Sequence, residues 1–160
     1  MIDRYSREEM SKIWELDSKF KYYLDVELAV CKAYNKLGQI PDEALNDIVS
    51  KASFSVERID EIEREVHHDV IAFLTNVNEN VGENSRYIHM GMTSSDVIDT
   101  ALALQMQDAG KIILKDLDTE NVNDTRHIFK YYDSLTIINI LKDWDTNYSD
   151  SSSDDSSEDE

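Results

Sequence analysis

Two adjacent histidines in the first half of the chain are the residues best suited to acid–base chemistry. The segment at residues 65–69 is EVHHD, with His67 and His68 at its centre. An imidazole titrates near neutral pH, so either ring could donate or accept a proton. Asp69 could orient one of the rings or cap a following helix. The alternative is that both histidines only pack or cap at a junction between helices.

A second cluster, HMGMTSSD at residues 89–96, has the composition of a ligand-binding turn. Its glycine would let the backbone approach a ligand closely. Thr93, Ser94 and the amides of a following helix could hold a carboxylate or phosphate. The alternative is an ordinary helix cap, because Asp96 stands at capping-box distance from Thr93.

Near the N-terminus, Arg4 precedes Tyr5. An arginine can hold an oxyanion through two hydrogen bonds while the neighbouring ring orients the ligand. The alternative is a solvated terminal arginine.

We expect no metal centre. Cys31 is the only cysteine in the sequence, which excludes an intramolecular disulfide and a cysteine-cage site. Adjacent helical side chains point about 100° apart and rarely ligate one ion together. Apart from the adjacent pair, the only imidazoles are His89 and His127.

The overall charge restricts the possible partners. The 160 residues include 16 Lys+Arg and 34 Asp+Glu, for a formal net charge of −18. This balance argues against nucleic-acid binding and against docking on an anionic membrane. No run approaches the roughly 20 apolar residues of a membrane helix, and no signal peptide opens the sequence. We therefore expect a soluble, cytoplasmic protein.

The elements that must position these clusters are predicted to be helices. Glycine and proline are scarce, and apolar residues recur with a helical period. Ser6 and Glu9 have capping-box spacing, and a long helix ending at Gly38 is predicted to follow. Pro41 is predicted in the first turn of the next helix. Further helices are predicted over 56–65, 69–80 and 96–117, with a break at 82–95. The predicted class is all-α.

The acidic charge is concentrated at the C-terminal end. Residues 118–160 hold 3 Lys+Arg and 12 Asp+Glu, and residues 149–160 are only serine, aspartate and glutamate. Such a segment has no apolar surface to bury. We expect a helical domain over 1–95, a first long bundle helix over 96–117, an unrelated, weakly helical segment over 118–148 and a disordered tail over 149–160.

Taken together, the clusters resemble the N-terminal part of the adenylosuccinate lyases, members of the fumarase/aspartase superfamily. The likeness covers about residues 1–117. It is carried by MIDRYS at the N-terminus, Trp14, EVHHDV at 65–70 and YIHMGMTSSD at 87–96.

The resemblance implies a β-elimination that releases fumarate from adenylosuccinate and from the succinylated carboxamide ribotide of purine biosynthesis. A base removes a proton from the succinyl carbon, and an acid protonates the departing nitrogen. It implies His68 for acid chemistry or leaving-group stabilisation, Arg4 and Tyr5 at the nucleotide, and His67 and Asp69 beside the substrate. Thr93, Ser94 and His89 would hold the anionic groups. No cofactor or metal is implied.

The family also uses a second histidine, in a threonine–histidine motif, and a serine-rich loop that supplies the base. Neither pattern follows residue 117, and His127 lacks the required neighbours. Each family active site is built from three subunits. We therefore expect a truncated or fused lyase chain, inactive alone, that acts as a homo-oligomer or with a complementing lyase subunit.

Two alternatives remain open. The chain could be a non-catalytic interaction or regulatory fragment whose acidic tail engages a basic protein surface. Its serines at 151, 152, 156 and 157 each precede an acidic residue by three positions, which resembles the consensus of acidophilic kinases. The other alternative is an error in the gene model beyond residue 117.

Overall fold

The computed structural model describes residues 6–118, and the side chains of 6–116. This part of the chain consists of helices and connecting turns, which confirms the all-α prediction. Arg4, Tyr5, His127 and the acidic tail lie outside the described residues. The elements are α1 (Glu8–Ile13), α2 (Leu16–Lys36), α3 (Asp42–Lys51), α4 (Val56–Val66), α5 (Asp69–Val81), a 3₁₀ helix (Gly82–Tyr87) and α6 (Ser94–Asp118).

The described residues up to Ala109 belong to one compact unit, and those from Gly110 onward belong to a second. The domain boundaries expected from the sequence stay a prediction. No helix among residues 6–118 is long and apolar enough to cross a membrane.

The N-terminal helix starts differently from the prediction. Helix α1 begins at Glu8 with Arg7 as its N-cap, and no side chain caps it. Glu9 is therefore in the second helical position, one short of what a box with Ser6 requires. The expected long helix begins only at Leu16, because Glu15 is extended and acts as the N-cap of α2.

The end of α2 agrees with the sequence signal. Gly38 has a left-handed φ of 72°. Its N–H donates to the Asn35 carbonyl, and the Gln39 N–H donates to the Tyr34 carbonyl. This pair of bonds is the Schellman motif, which favours glycine. Pro41 is the N-cap of α3, one position before the predicted first turn.

An aromatic cluster fills the centre of the first unit. The Phe20 and Phe73 rings stack with their centroids 5.7 Å apart, and the Tyr23 and Phe73 rings are nearly perpendicular with their centroids 5.6 Å apart. All three side chains are buried. Burying such rings removes a large apolar area from water, so this cluster holds α2 against α5.

Helices α4 and α5 pack as an antiparallel pair. Arg58, near the start of α4, forms two hydrogen bonds with Glu79, near the end of α5, at 3.1 and 2.7 Å. The connection between these helices consists of His67 and His68.

Two hydrogen bonds, one buried and one partly buried, join helix α6 to helices α1 and α2. The Gln105 amide donates to the Ile13 carbonyl at 2.8 Å, and the Tyr22 hydroxyl donates to Asp108 at 2.6 Å. These bonds set the position of α6, and hence that of the turn before it.

Candidate functional site

The two adjacent histidines form the sharp turn between α4 and α5. His67 ends α4 with a left-handed backbone, φ 53°, and its N–H donates to the Glu63 carbonyl at 2.8 Å. His68 is extended and is the N-cap of α5. Both side chains are exposed, so the turn places two imidazoles at the surface rather than in the core.

The His68 ring has two partners on the same side. Its Nδ1 lies 3.4 Å from the Ile71 N–H, which it caps, and 3.8 Å from Asp69 Oδ1. A neutral ring that accepts from the amide carries its proton on Nε2. A doubly protonated ring can instead direct Nδ1–H toward the carboxylate.

Asp69 connects this turn to α2. Its Oδ1 accepts from the Val70 N–H at 2.8 Å, and its Oδ2 lies 3.7 Å from Lys19 Nζ. The Lys19 ammonium in turn lies 5.3 Å from the centroid of the Tyr23 ring. Lys19 therefore provides a positive charge beside the histidine turn, and the sequence reasoning missed it.

A cleft of about 740 Å³ opens in front of the turn and is lined by His67, His68 and Asp69. Leu16, Lys19 and Phe20 of α2 contribute to it. Helix α4 adds the carboxylates of Glu57, Asp60 and Glu63. Among the described residues, this lining therefore carries more negative than positive charge.

The turn before α6 depends on a close backbone approach at Gly91. Gly91 has a φ of 73°, and an ideal Cβ at this position would lie 2.5 Å from the Tyr34 hydroxyl. His89 also has a positive φ, of 64°. Two left-handed residues so close together produce a tight loop that only glycine can complete at position 91.

Asp96 caps the start of α6. Its Oδ2 accepts from the Thr93 N–H at 2.7 Å and from the Thr93 hydroxyl at 3.0 Å. The hydrogen bonds from Thr93 hold the pKa of this carboxyl below its usual value. The Asp96 half of the expected capping box is therefore present and engages both Thr93 donors, whereas the Asp96 N–H donates to the Thr93 carbonyl at 3.1 Å.

His89 is bound to a carboxylate in the core. Glu27 is only 1% exposed, and its two oxygens accept from the His89 N–H at 2.9 Å and meet His89 Nδ1 at 2.7 Å. Burial raises the pKa of Glu27, and the bonds with His89 oppose that rise. Sequence reasoning missed Glu27. This residue lies four positions after Tyr23 and four before Cys31, so it is on the buried face of α2. A charged residue on that face was a usable signal.

The turn residues and the histidine pair line different clefts. Gly91, Met92 and Asp96 line a second cleft of about 680 Å³ between α2 and the start of α6. None of residues 89–96 lines the first cleft. Among the described residues, no group of three side chains is arranged to hold a metal ion.

Residues 3–121 match the family model described as Lyase. The chain belongs to this lyase family.

Named relatives make the resemblance more specific. The chain is 57% identical over 118 residues to the adenylosuccinate lyase of Synechocystis, covering 74% of this chain and 27% of that protein. It is 51% identical over 138 residues to the adenylosuccinate lyase of Aquifex aeolicus, covering 84% and 32%. A fumarate lyase structure from Mesorhizobium superposes with a TM-score of 0.61 at 26% identity, covering 68% of this chain and 27% of that one.

These comparisons confirm the resemblance to the N-terminal part of adenylosuccinate lyases. The chain spans between about a quarter and a third of the length of these relatives. The Aquifex alignment covers 84% of the chain and so includes residues outside the family match at 3–121. The boundary at residue 118 stays a prediction.

Proposed function

We propose that this chain supplies the acid-bearing part of an adenylosuccinate lyase active site. In the proposed reaction, a base takes a proton from the succinyl carbon and the C–N bond breaks. The electron pair of the C–H bond becomes the double bond of fumarate, and an acid protonates the departing nitrogen. The observation that supports this role is the exposed His68 imidazole beside Asp69, in a chain 57% identical to an adenylosuccinate lyase over 118 residues.

His68 is proposed as the acid. To protonate the nitrogen it must start doubly protonated and end with its proton on Nδ1. The N-terminus of α5 disfavours a cation, but Asp69 at 3.8 Å offsets that effect and can accept from Nδ1–H. Asp69 is thus proposed to stabilise the ring in both states, while Nε2 exchanges the proton. This chemistry uses no cofactor.

The substrate is anionic, and its binding groups are proposed to be Thr93, Ser94 and His89, with His67 and Asp69 beside it. Thr93 would have to release its hydroxyl from Asp96 to bind the anion. The first cleft carries three α4 carboxylates against Lys19, so it does not suit an anion without further positive charge. Arg4, with Tyr5 at the nucleotide, is proposed to supply part of that charge.

We further propose that each complete site combines residues from more than one subunit. The histidine turn lines the first cleft, and Gly91, Met92 and Asp96 line the second, while His89, Thr93 and Ser94 line neither of these two clefts. A second copy could bring the two clusters together, whereas the base would have to come from a complementing lyase subunit that carries the serine-rich loop. The partner is therefore a homo-oligomer or a related lyase chain.

The test is complementation. The full 160-residue chain is mixed with a Synechocystis adenylosuccinate lyase in which the residue matching His68 is replaced by alanine, and fumarate release from adenylosuccinate is followed by absorbance. We expect turnover in the mixture that is lost when this chain carries His68→Ala. No turnover, alone or in the mixture, would contradict the proposal.

A regulatory role for the acidic tail is the alternative, motivated by the serine and acidic composition of residues 149–160. Its test is a comparison of the partners captured by chains with and without these residues. Identical sets of captured partners would contradict a regulatory role for the tail.

A further inference from the structure

The pairing of Glu27 with His89 joins a buried charge to the turn that precedes α6. The two residues are 62 positions apart, and Glu27 is 1% exposed, whereas the His89 side chain is about 20% exposed. A carboxylate buried to this extent is costly unless it is fully hydrogen-bonded. An apolar residue would fill the same place on α2 at lower cost, so the charge calls for an explanation beyond packing.

The hydrogen bonds determine where the His89 ring carries its proton. A carboxylate only accepts, and one Glu27 oxygen is already engaged by the His89 N–H at 2.9 Å. The other oxygen lies 2.7 Å from Nδ1, so Nδ1 must be the donor. Nε2 is then the ring nitrogen left for another partner.

His89 is part of the proposed anion-binding turn, residues 89–96. The His89 backbone is left-handed, and Glu27 holds its N–H in that conformation. Among described charges, Asp96 at the start of α6 interacts electrostatically with His89. On the α2 side, the neighbouring titratable group is the buried thiol of Cys31.

We propose that Glu27 is a positioning residue for anion binding: it accepts from Nδ1–H of the doubly protonated His89 ring, so that Nε2–H is directed as the donor to a carboxylate of the ligand. This inference rests on the proposed function, which places His89 at the substrate. A neutral ring with its proton on Nδ1 has only a lone pair at Nε2 and cannot hold a carboxylate, so the doubly protonated ring is the binding form and Glu27 balances its charge.

Glu27→Gln gives a sharp chemical test because glutamine has one acceptor and one donor group. If its oxygen keeps the His89 N–H, its NH₂ faces Nδ1, which must then lose its proton and accept. The substitution should therefore move the proton of the neutral ring from Nδ1 to Nε2 while the side-chain shape is conserved. Glu83→Gln, at an exposed carboxylate, is the matched control.

Two measurements test the proposal on the full chain. Long-range ¹H–¹⁵N correlation spectra, assigned with His89→Gln, report which ring nitrogen is protonated. The complementation assay reports KM and kcat for adenylosuccinate. We expect Nδ1 protonated in the unmodified chain and unprotonated in Glu27→Gln. KM should rise about tenfold, because the Nε2–H of a neutral ring binds a carboxylate more weakly than that of a charged ring, and kcat should change less than threefold. Glu83→Gln should match the unmodified chain in both.

An unprotonated Nδ1 in the unmodified chain, or an unchanged proton position or KM in Glu27→Gln, would overturn the role of Glu27 alone. Absence of turnover in the unmodified mixture would overturn the proposed function and with it the anion-binding role. If Glu27→Gln does not fold, the proposal is tested by the spectrum of the unmodified chain and by the KM of His89→Gln. A KM for His89→Gln equal to that of the unmodified chain overturns the proposal.

Discussion

The hydroxyl of Tyr34 on α2 occupies the space where a side chain at position 91 would begin. The distance from that oxygen to an ideal Cβ on Gly91 is 2.5 Å, well inside van der Waals contact. Gly91 also has a φ of 73°, which L side chains rarely adopt. The backbone of the turn before α6 therefore lies directly against α2. Both the close approach of Tyr34 and the positive φ require glycine at position 91.

Gly91→Ala should destabilise the chain by about 2 kcal/mol, since it combines left-handed strain with the clash. Urea unfolding followed by circular dichroism measures the change. Adding Tyr34→Phe, which removes the clashing oxygen, should recover part of the loss. The control is Gly110→Ala, because a Cβ there meets nothing within 4 Å and alanine favours a helix by about 1 kcal/mol. Equal losses at both positions would contradict this account.

The bond from Tyr22 to Asp108 predicts a pH dependence of stability. Burial and this bond raise the pKa of Tyr22 to about 12. An unfolded tyrosine loses its proton near pH 10, whereas the folded one retains it. The contribution to stability is therefore complete below about pH 10 and is lost as the pH rises toward 12.

Tyr22→Phe should lower the free energy of unfolding by about 1–2 kcal/mol at pH 7, since it leaves Asp108 without this donor. The difference between Tyr22→Phe and the unmodified chain should shrink between pH 10 and 12. Urea unfolding at a series of pH values checks this. Tyr87→Phe, which removes only an exposed contact with Arg86, should show no such convergence.

Helix positions could be predicted because local signals determine them. The apolar period of α5 and the glycine after α2 act through neighbouring residues, and the structure confirms both. The break at Trp14 and Glu15 lacks a glycine or proline, so nothing in the local sequence marks it. The exact register of the α2 core was also only partly predictable, since Leu24 and Leu28 are half-buried while Tyr23 and Val26 are buried.

The candidate site was predictable as a set of clusters but not as a geometry. His68 and Thr93 stand out by residue type and spacing. The pairings of Lys19 with Asp69 and of Glu27 with His89 became visible only when the fold brought α2 beside the two turns. Their partners are dozens of positions away, and no local pattern encodes such a pairing.

Asn76 on α5 supports the start of α4, which lines the first cleft. Its Oδ1 accepts from the Ser55 N–H at 2.8 Å, and its side chain is 4% exposed. Asn76→Ala would leave that amide without its partner, so we expect a loss of about 2 kcal/mol in thermal or urea unfolding. Asn80→Ala removes an exposed bond to the Ser53 carbonyl and should cost less than about 1 kcal/mol. A smaller loss at Asn76 than at Asn80 would refute the prediction.

His68 combines two roles that one pair of substitutions can separate. The neutral ring accepts from the Ile71 N–H at Nδ1 as the N-cap of α5, whereas the doubly protonated ring, with Nδ1–H directed to Asp69, is the proposed acid that donates from Nε2. Asparagine is a good N-cap but cannot transfer a proton, whereas alanine can do neither. His68→Asn should therefore keep the unfolding free energy within about 0.5 kcal/mol of the unmodified chain, while His68→Ala should lose about 1 kcal/mol.

In the complementation assay, both His68 variants should lose turnover by at least about 100-fold, because the loss of an acid has this effect. Asp69→Asn should lose less, about tenfold, since Asp69 stabilises the ring without exchanging the proton. Substantial turnover in His68→Asn would show that His68 serves only as a helix cap, and the acid would then have to be sought elsewhere.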